Sequence, residues 1–151
     1  MKREKQNEMQ LALDSRSVNE GFARAAVAAF AAQLDPTLEE LNDIKTVVSE
    51  AVTNCIVHAY PDTCGKIHIL CRIYSGGLLE VTVRDRGCGI ADIEKAREPL
   101  FTTGGSDRAG MGFTIMESFT DGFRISSREG RGTSVTMRKL IAPRLRGGRP
   151  A

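Results

Sequence analysis

Apolar residues along this chain repeat with two different periods. Between Glu8 and Leu13, Met9, Leu11 and Leu13 alternate with polar neighbours, which predicts a short strand with one buried face. An Ala-rich stretch from Val18 to Leu34 then predicts a helix, with Asp14, Ser15 and Ser17 available as caps. Asp35-Pro36-Thr37 ends it: Pro36 stops one helix and Thr37 can cap the next. The second helix is expected over about Leu38 to Ala59. Leu41, Ile44, Val48, Ala51, Val52, Cys55, Ile56 and Ala59 mark its buried side at helical spacing.

Beyond the Pro61–Gly65 turn the period returns to two. Ile67, Ile69, Cys71 and Ile73 face one way, and Ser75-Gly76-Gly77 reads as a hairpin turn. Leu79, Val81 and Val83 carry the pattern on, and Asp85 falls where the next core residue belongs. An acid in an apolar register is a local rule broken, and such breaks concentrate at functional sites. A glycine loop follows over Asp85–Ile90, then a short helix near Ala91–Arg97 and an aperiodic segment, Glu98–Gly110, that reads as a mobile loop. A helix over Gly112–Phe119 and strands over about Gly122–Ser127 and Thr133–Leu140 complete the pattern. The order predicts an α+β two-layer sandwich: a mixed, largely antiparallel sheet with helices on one face. Residues 1–142 read as one domain. The tail over 143–151, with three Arg, two Gly and two Pro, is expected to be disordered.

Composition narrows the function. The net charge of +2 over 151 residues argues against a nucleic-acid-binding body, which needs a strongly basic face. No apolar run approaches the roughly 20 residues that cross a bilayer. No apolar stretch follows the charged Met1–Glu8, so neither a signal peptide nor a membrane partner is expected, and the chain is expected in the cytosol. Cys55, Cys64, Cys71 and Cys88 form neither a CxxC pair nor a zinc pattern, and read as free thiols.

Three weak signals then occur in a telling order. Glu50 and Asn54, four apart, share one helix face beside the apolar stripe. A carboxylate there can accept a proton and an amide oxygen can ligate Mg²⁺, although the same spacing also describes a solvated helix edge. His58 continues that line and reads as structural. Asp85 at a strand end can accept a hydrogen bond from an exocyclic amine, and Gly87 and Gly89 would let the backbone approach a flat ring. Arg108-Ala109-Gly110-Met111-Gly112-Phe113 would open a helix with free N–H groups, which favour anions, and Arg108 could add a contact to a terminal phosphate. No Walker loop or Rossmann fingerprint occurs.

The run Ser49-Glu50-Ala51-Val52-Thr53-Asn54 resembles the N box of the ATPase and kinase superfamily that includes gyrase, heat-shock protein 90, histidine kinases and mismatch-repair ATPases. Asp85 to Gly89 resembles its G1 box, and Gly110 to Gly112 its G2 box. Leu34–Thr37, Ile44–Asn54, Pro99–Thr103 and Gly110–Glu117 extend the similarity, over about residues 8 to 140, to the anti-sigma F factor family of serine kinases.

That resemblance implies the Bergerat ATP-binding fold and a homodimeric, cytoplasmic protein serine/threonine kinase using ATP/ADP and Mg²⁺. Its implied partners are sigma factor F, held in the ATP state, and an anti-anti-sigma factor phosphorylated on serine. By position it makes Glu50 the general base, Asn54 the Mg²⁺ ligand and Asp85 the adenine acceptor. Gly87 and Gly89 would shape the base pocket; Thr102, Thr103, Arg108, Gly110 and Gly112 would lie on the phosphate side; Arg24 would contact a partner. Gly104-Gly105-Ser106-Asp107 departs from the more charged lid expected of the family. Two alternatives stay open: an ATP-gated sigma-binding module without important kinase activity, and the related serine kinase of a stress-response sigma factor. A histidine-kinase catalytic domain fits less well, because no helix pair bearing a phosphoacceptor His is present.

Overall fold

The computed structural model describes residues 2–61, 63–87 and 108–141. Its elements are β1 (Lys5–Asp14), α1 (Asn19–Ala31) with a 3₁₀ turn at Ala32–Leu34, α2 (Leu38–Asn54), a π-helical turn at Cys55–Ala59, β2 (Lys66–Tyr74), β3 (Leu78–Asp85), α3 (Arg108–Ser118), β4 (Gly122–Arg128) and β5 (Gly132–Leu140). The strands form one five-stranded sheet in the order β1-β2-β3-β5-β4. Every described pairing is antiparallel, so the sheet is antiparallel rather than mixed.

Period-two alternation decides which face of the sheet is covered. Ile67, Ile69, Cys71 and Ile73 of β2, with Leu79, Val81 and Val83 of β3, point into a core shared with Ala23 and Val27 of α1, Val48 and Val52 of α2, and Phe113 and Met116 of α3. Burying each large aliphatic side chain contributes about 1.5–3 kcal/mol. The other face is polar. Arg72 Nε pairs with Glu8 Oε1 at 2.8 Å, Arg138 Nε pairs with Glu80 Oε2 at 2.9 Å, and the Thr82 and Thr136 hydroxyls meet at 3.1 Å.

Caps fix where the helices begin and end. Asp35 takes a left-handed conformation (φ 55°) that closes the 3₁₀ turn, one of the few residue types that does so at modest cost. Thr37 then forms a full capping box: Glu40 N donates to Thr37 Oγ1 at 3.0 Å and Thr37 N donates to Glu40 Oε1 at 2.8 Å.

Four expectations are corrected. First, no side chain caps α1, and Val18 stands at its N-cap. Asp14 pairs instead with Lys66 Nζ at 2.6 Å, and Ser15 is buried where Gly65 N donates to its hydroxyl at 2.9 Å. Second, α2 does not run to Ala59 as one α-helix. It widens into a π turn at Cys55, where Tyr60 N reaches back to Cys55 O at 3.2 Å. Third, α3 starts at Arg108 rather than Gly112, so Gly110 and Gly112 lie inside it. Contact with α2 and burial of Phe113 and Met116 outweigh glycine's poor helix propensity there. Fourth, β1 begins earlier, at Lys5. The hairpin at Gly76 and Gly77 stands as expected, both with positive φ. The helix expected near Ala91–Arg97, the loop before Arg108 and the tail lie outside the described residues.

Candidate functional site

Glu50 and Asn54, both half-buried, occupy one face of the last turns of α2. The buried residue Gly112 of α3 packs onto them. A β-carbon at Gly112 would stand 3.1 Å from Glu50 Oε2, 3.4 Å from Asn54 Nδ2 and 3.5 Å from Asn54 Oδ1. The glycine therefore serves close approach rather than the opening of a helix. Two contacts hold it in place: Phe113 is buried against the ring of Phe123 (centroids 6.4 Å apart), and Met116 is fully buried. Asn54 Nδ2 is buried with no hydrogen-bond partner among the described residues. Such orphaned polar groups are rare in folded proteins and need a reason.

The residue after Asn54 reaches the second half of the site. Cys55 opens the π turn, and its Sγ lies 3.5 Å from Asp85 Oδ2 as donor. Asp85, at the end of β3, is buried as its place in the apolar alternation predicts. Its Oδ1 accepts from Gly87 N at 2.9 Å and from Thr133 N at 3.2 Å. Burial pushes the Asp85 carboxyl above the usual range, and the three donors pull the other way. Burial and the adjacent Asp85 charge keep the Cys55 thiol protonated. Gly87 lies against the Ala59 carbonyl at the end of the π turn, and any β-carbon there would overlap backbone.

Tyr60 is a member that sequence reasoning missed. Its hydroxyl accepts from Arg86 N at 2.7 Å and donates to Lys66 O at 2.9 Å, tying the exit of the π turn to the start of the loop after β3. Burial raises its pKa, so the phenol stays a donor at neutral pH. No local pattern marks it, because both partners are distant in sequence. Burial lowers the His58 pKa, which favours the neutral imidazole, and no cluster of metal-ligating side chains occurs among the described residues.

Arg24 is exposed on α1. It lies 3.6 Å from Glu20 Oε2 and 3.4 Å from Ser49 Oγ, next in sequence to Glu50. Arg108 and Gly110 contribute backbone to the first turn of α3. Gly89, Thr102 and Thr103 lie outside the described residues. The structure thus brings Glu50, Asn54, Cys55, Asp85, Gly87 and Gly112 into one continuous set of contacts.

Comparison with known proteins bears on what this set belongs to. Residues 11–139 match the family model described as a histidine kinase-like ATPase domain. The anti-sigma F factor of Geobacillus kaustophilus is 55% identical over 137 residues, covering 90% of this chain and 94% of the relative. That of Thermoanaerobacter sp. (strain X514) is 57% identical over 136 residues, covering 89% and 94%. Among solved structures, the RsbU and RsbW domains of a Mycobacterium tuberculosis protein superpose with a TM-score of 0.66 at 20% identity, covering 90% of this chain and 33% of that one. The mycobacterial sensor histidine kinase MprB gives 0.56 at 14% identity, covering 90% and 100%. At those identities the two structures speak for the fold alone. The extent and closeness of the sequence matches go further: this chain belongs to the histidine kinase-like ATPase domain family and, within it, to the anti-sigma F factors.

Proposed function

We propose that this chain is an ATP-dependent protein serine/threonine kinase that also sequesters a sigma factor, with its nucleotide held between the end of α2, the β3 exit and α3. One observation carries the proposal. Gly112 packs onto Glu50 and Asn54, while the next residue, Cys55, contacts the strand-end Asp85. An acid, an amide and a second acid are thereby placed along one path, as a triphosphate, a metal and a base would require.

The residues present fit Mg²⁺. The Asn54 amide is buried with an unpartnered atom, its O and N are interchangeable by a side-chain flip, and an amide oxygen is a hard ligand. When bound, Mg²⁺ supplies charge neutralisation at the phosphates, the main requirement of phosphoryl transfer. The chain's own groups do the rest. Asp85 accepts a hydrogen bond from the adenine amino group. Gly87, with Gly89, lets the backbone lie close to the base. Gly110 and Gly112 keep α3 free of side chains on the phosphate side, where Thr102, Thr103 and Arg108 add donors. Glu50 takes the proton of the incoming serine hydroxyl. Arg24 belongs to a partner-binding face.

The relatives' names support sigma factor F as the sequestered protein. An anti-anti-sigma factor is the proposed serine substrate, and a homodimer the working form. The test is transfer of labelled phosphate from ATP to that substrate by Glu50→Gln. Transfer is expected to fall by about 10²–10⁴-fold with ATP binding retained, the usual contribution of a general base. Undiminished transfer would remove Glu50 from the chemistry. Sigma capture that needs ATP and yields no phosphoserine would leave a nucleotide-gated binder instead of a kinase.

A further inference from the structure

The two oxygens of Asp85 are held differently. Oδ1 accepts two backbone donors, Gly87 N from its own loop at 2.9 Å and Thr133 N from β5 at 3.2 Å. Oδ2 meets one side-chain donor, the Cys55 thiol, at 3.5 Å. The carboxylate torsion of aspartate is soft, so a single fixed oxygen leaves the group free to swing. A donor from α2 on the second oxygen removes that freedom. Both residues are buried, Cys55 at 4% exposure and Asp85 at 6%, so water does not replace the contact cheaply.

Building on the assignment of Asp85 to adenine, we infer that Cys55 is a positioning residue for base recognition, its thiol aiming Asp85 Oδ2 at the amino group of the purine. The thiol suits this task in two ways. It is a weak donor, so it orients Oδ2 while leaving the oxygen able to accept a stronger hydrogen bond. It also stays protonated, because burial and the neighbouring carboxylate both oppose a thiolate. Asn54 and Cys55 are consecutive, so one stretch of backbone serves the amide and the base-reading aspartate together.

The test compares two nucleotides by titration calorimetry on the full chain: Mg-ATP and the Mg complex of purine riboside triphosphate, which lacks the 6-amino group. Cys55→Ala is expected to weaken ATP by about tenfold, the worth of one hydrogen bond to a charged group. The deaminated analogue should bind as it does to the parent, so the preference for ATP collapses. Cys55→Ser, which restores a donor, should recover the preference to within about threefold. Equal weakening of both nucleotides would mean only a packing role, and an unchanged ATP preference in Cys55→Ala would also overturn the inference. Asp85→Asn measured in parallel separates the two levels. If it leaves ATP affinity intact, the adenine assignment itself fails. If it removes the preference while Cys55→Ala keeps it, only the thiol's role fails.

Discussion

Gly112 and Glu50 are close enough that a β-carbon on the glycine would lie 3.1 Å from the carboxylate Oε2. Alanine at this position would gain up to about 1 kcal/mol of helix propensity. It would also push the acid by a few tenths of an ångström and crowd Asn54. Gly112→Ala should therefore keep its unfolding free energy within about 1 kcal/mol of the parent in urea. Phosphate transfer should drop by at least about tenfold, since small misplacements at a reacting centre cost large factors. Full transfer with normal stability would show that the contact is incidental.

Asp85→Asn separates stability from recognition. The Asn oxygen can still accept from Gly87 and Thr133, but its Nδ2 would face the Cys55 thiol and the purine amino group, donor against donor. Removal of a buried charge offsets that loss in the nucleotide-free protein. Thermal melting without nucleotide should move by only a few degrees, while the shift produced by saturating ATP should vanish.

Acid unfolding should show two carboxylates acting in opposite directions. Glu8, paired first with Arg72 and also with Lys5 and Gln10, titrates at about 2 in the fold against an ordinary 4.5. Its folded value is depressed, so its contribution is present above 4.5 and is lost as pH falls toward 2. Asp85 is raised above its ordinary 3.8, so its contribution is present below 3.8 and is lost as pH rises through the folded value. Glu8→Gln should flatten the fall in stability below pH 4.5, most visibly at low salt because this surface pair is screened. Asp85→Asn should steepen that fall. Denaturant midpoints measured from pH 7 to pH 3 check both signs.

Thiol reactivity should follow burial. Cys64 is exposed, whereas Cys71 is buried and its pKa is pushed up to about 12; Cys55 is buried and raised as well. In brief alkylation at pH 8 with peptide mapping, Cys64 should label rapidly. Cys55 and Cys71 should label only once the chain unfolds.

Ile69, at 1% exposure in the centre of β2, reports on the core. Ile69→Ala should lower the unfolding free energy by about 2–5 kcal/mol, as measured by denaturant titration.

Much of this architecture could be read from the residues, and the failures have a common cause. β2 and β3 show a clean alternation because only one face of the sheet is covered. Thr37 and the stripe from Ile44 to Val52 mark α2 as plainly. Glu50 and Asn54 share a face through helix geometry alone, and Asp85 announces itself as an acid in an apolar register. What stayed hidden depends on neighbours far along the chain. The glycines before Phe113 read as a helix opening, yet packing on α2 keeps them helical. Cys55 read as one more apolar position; it is buried as that requires, but its hydrogen bond is to a residue thirty positions later. Ser15 and Tyr60 likewise spend their hydroxyls on partners fifty and twenty-six residues away.

The π turn at Cys55–Ala59 makes residue count, more than residue type, the quantity to which this part of the chain is sensitive. Deleting one residue there would rewind the segment toward α geometry and turn everything beyond it by about 100° around the helix axis. Cys55 would keep its bearing on Asp85, but the Ala59 carbonyl and the Tyr60 hydroxyl would swing away from Gly87 and Arg86. The segment works as a spacer of fixed length, tolerant of altered side chains and intolerant of a changed tally.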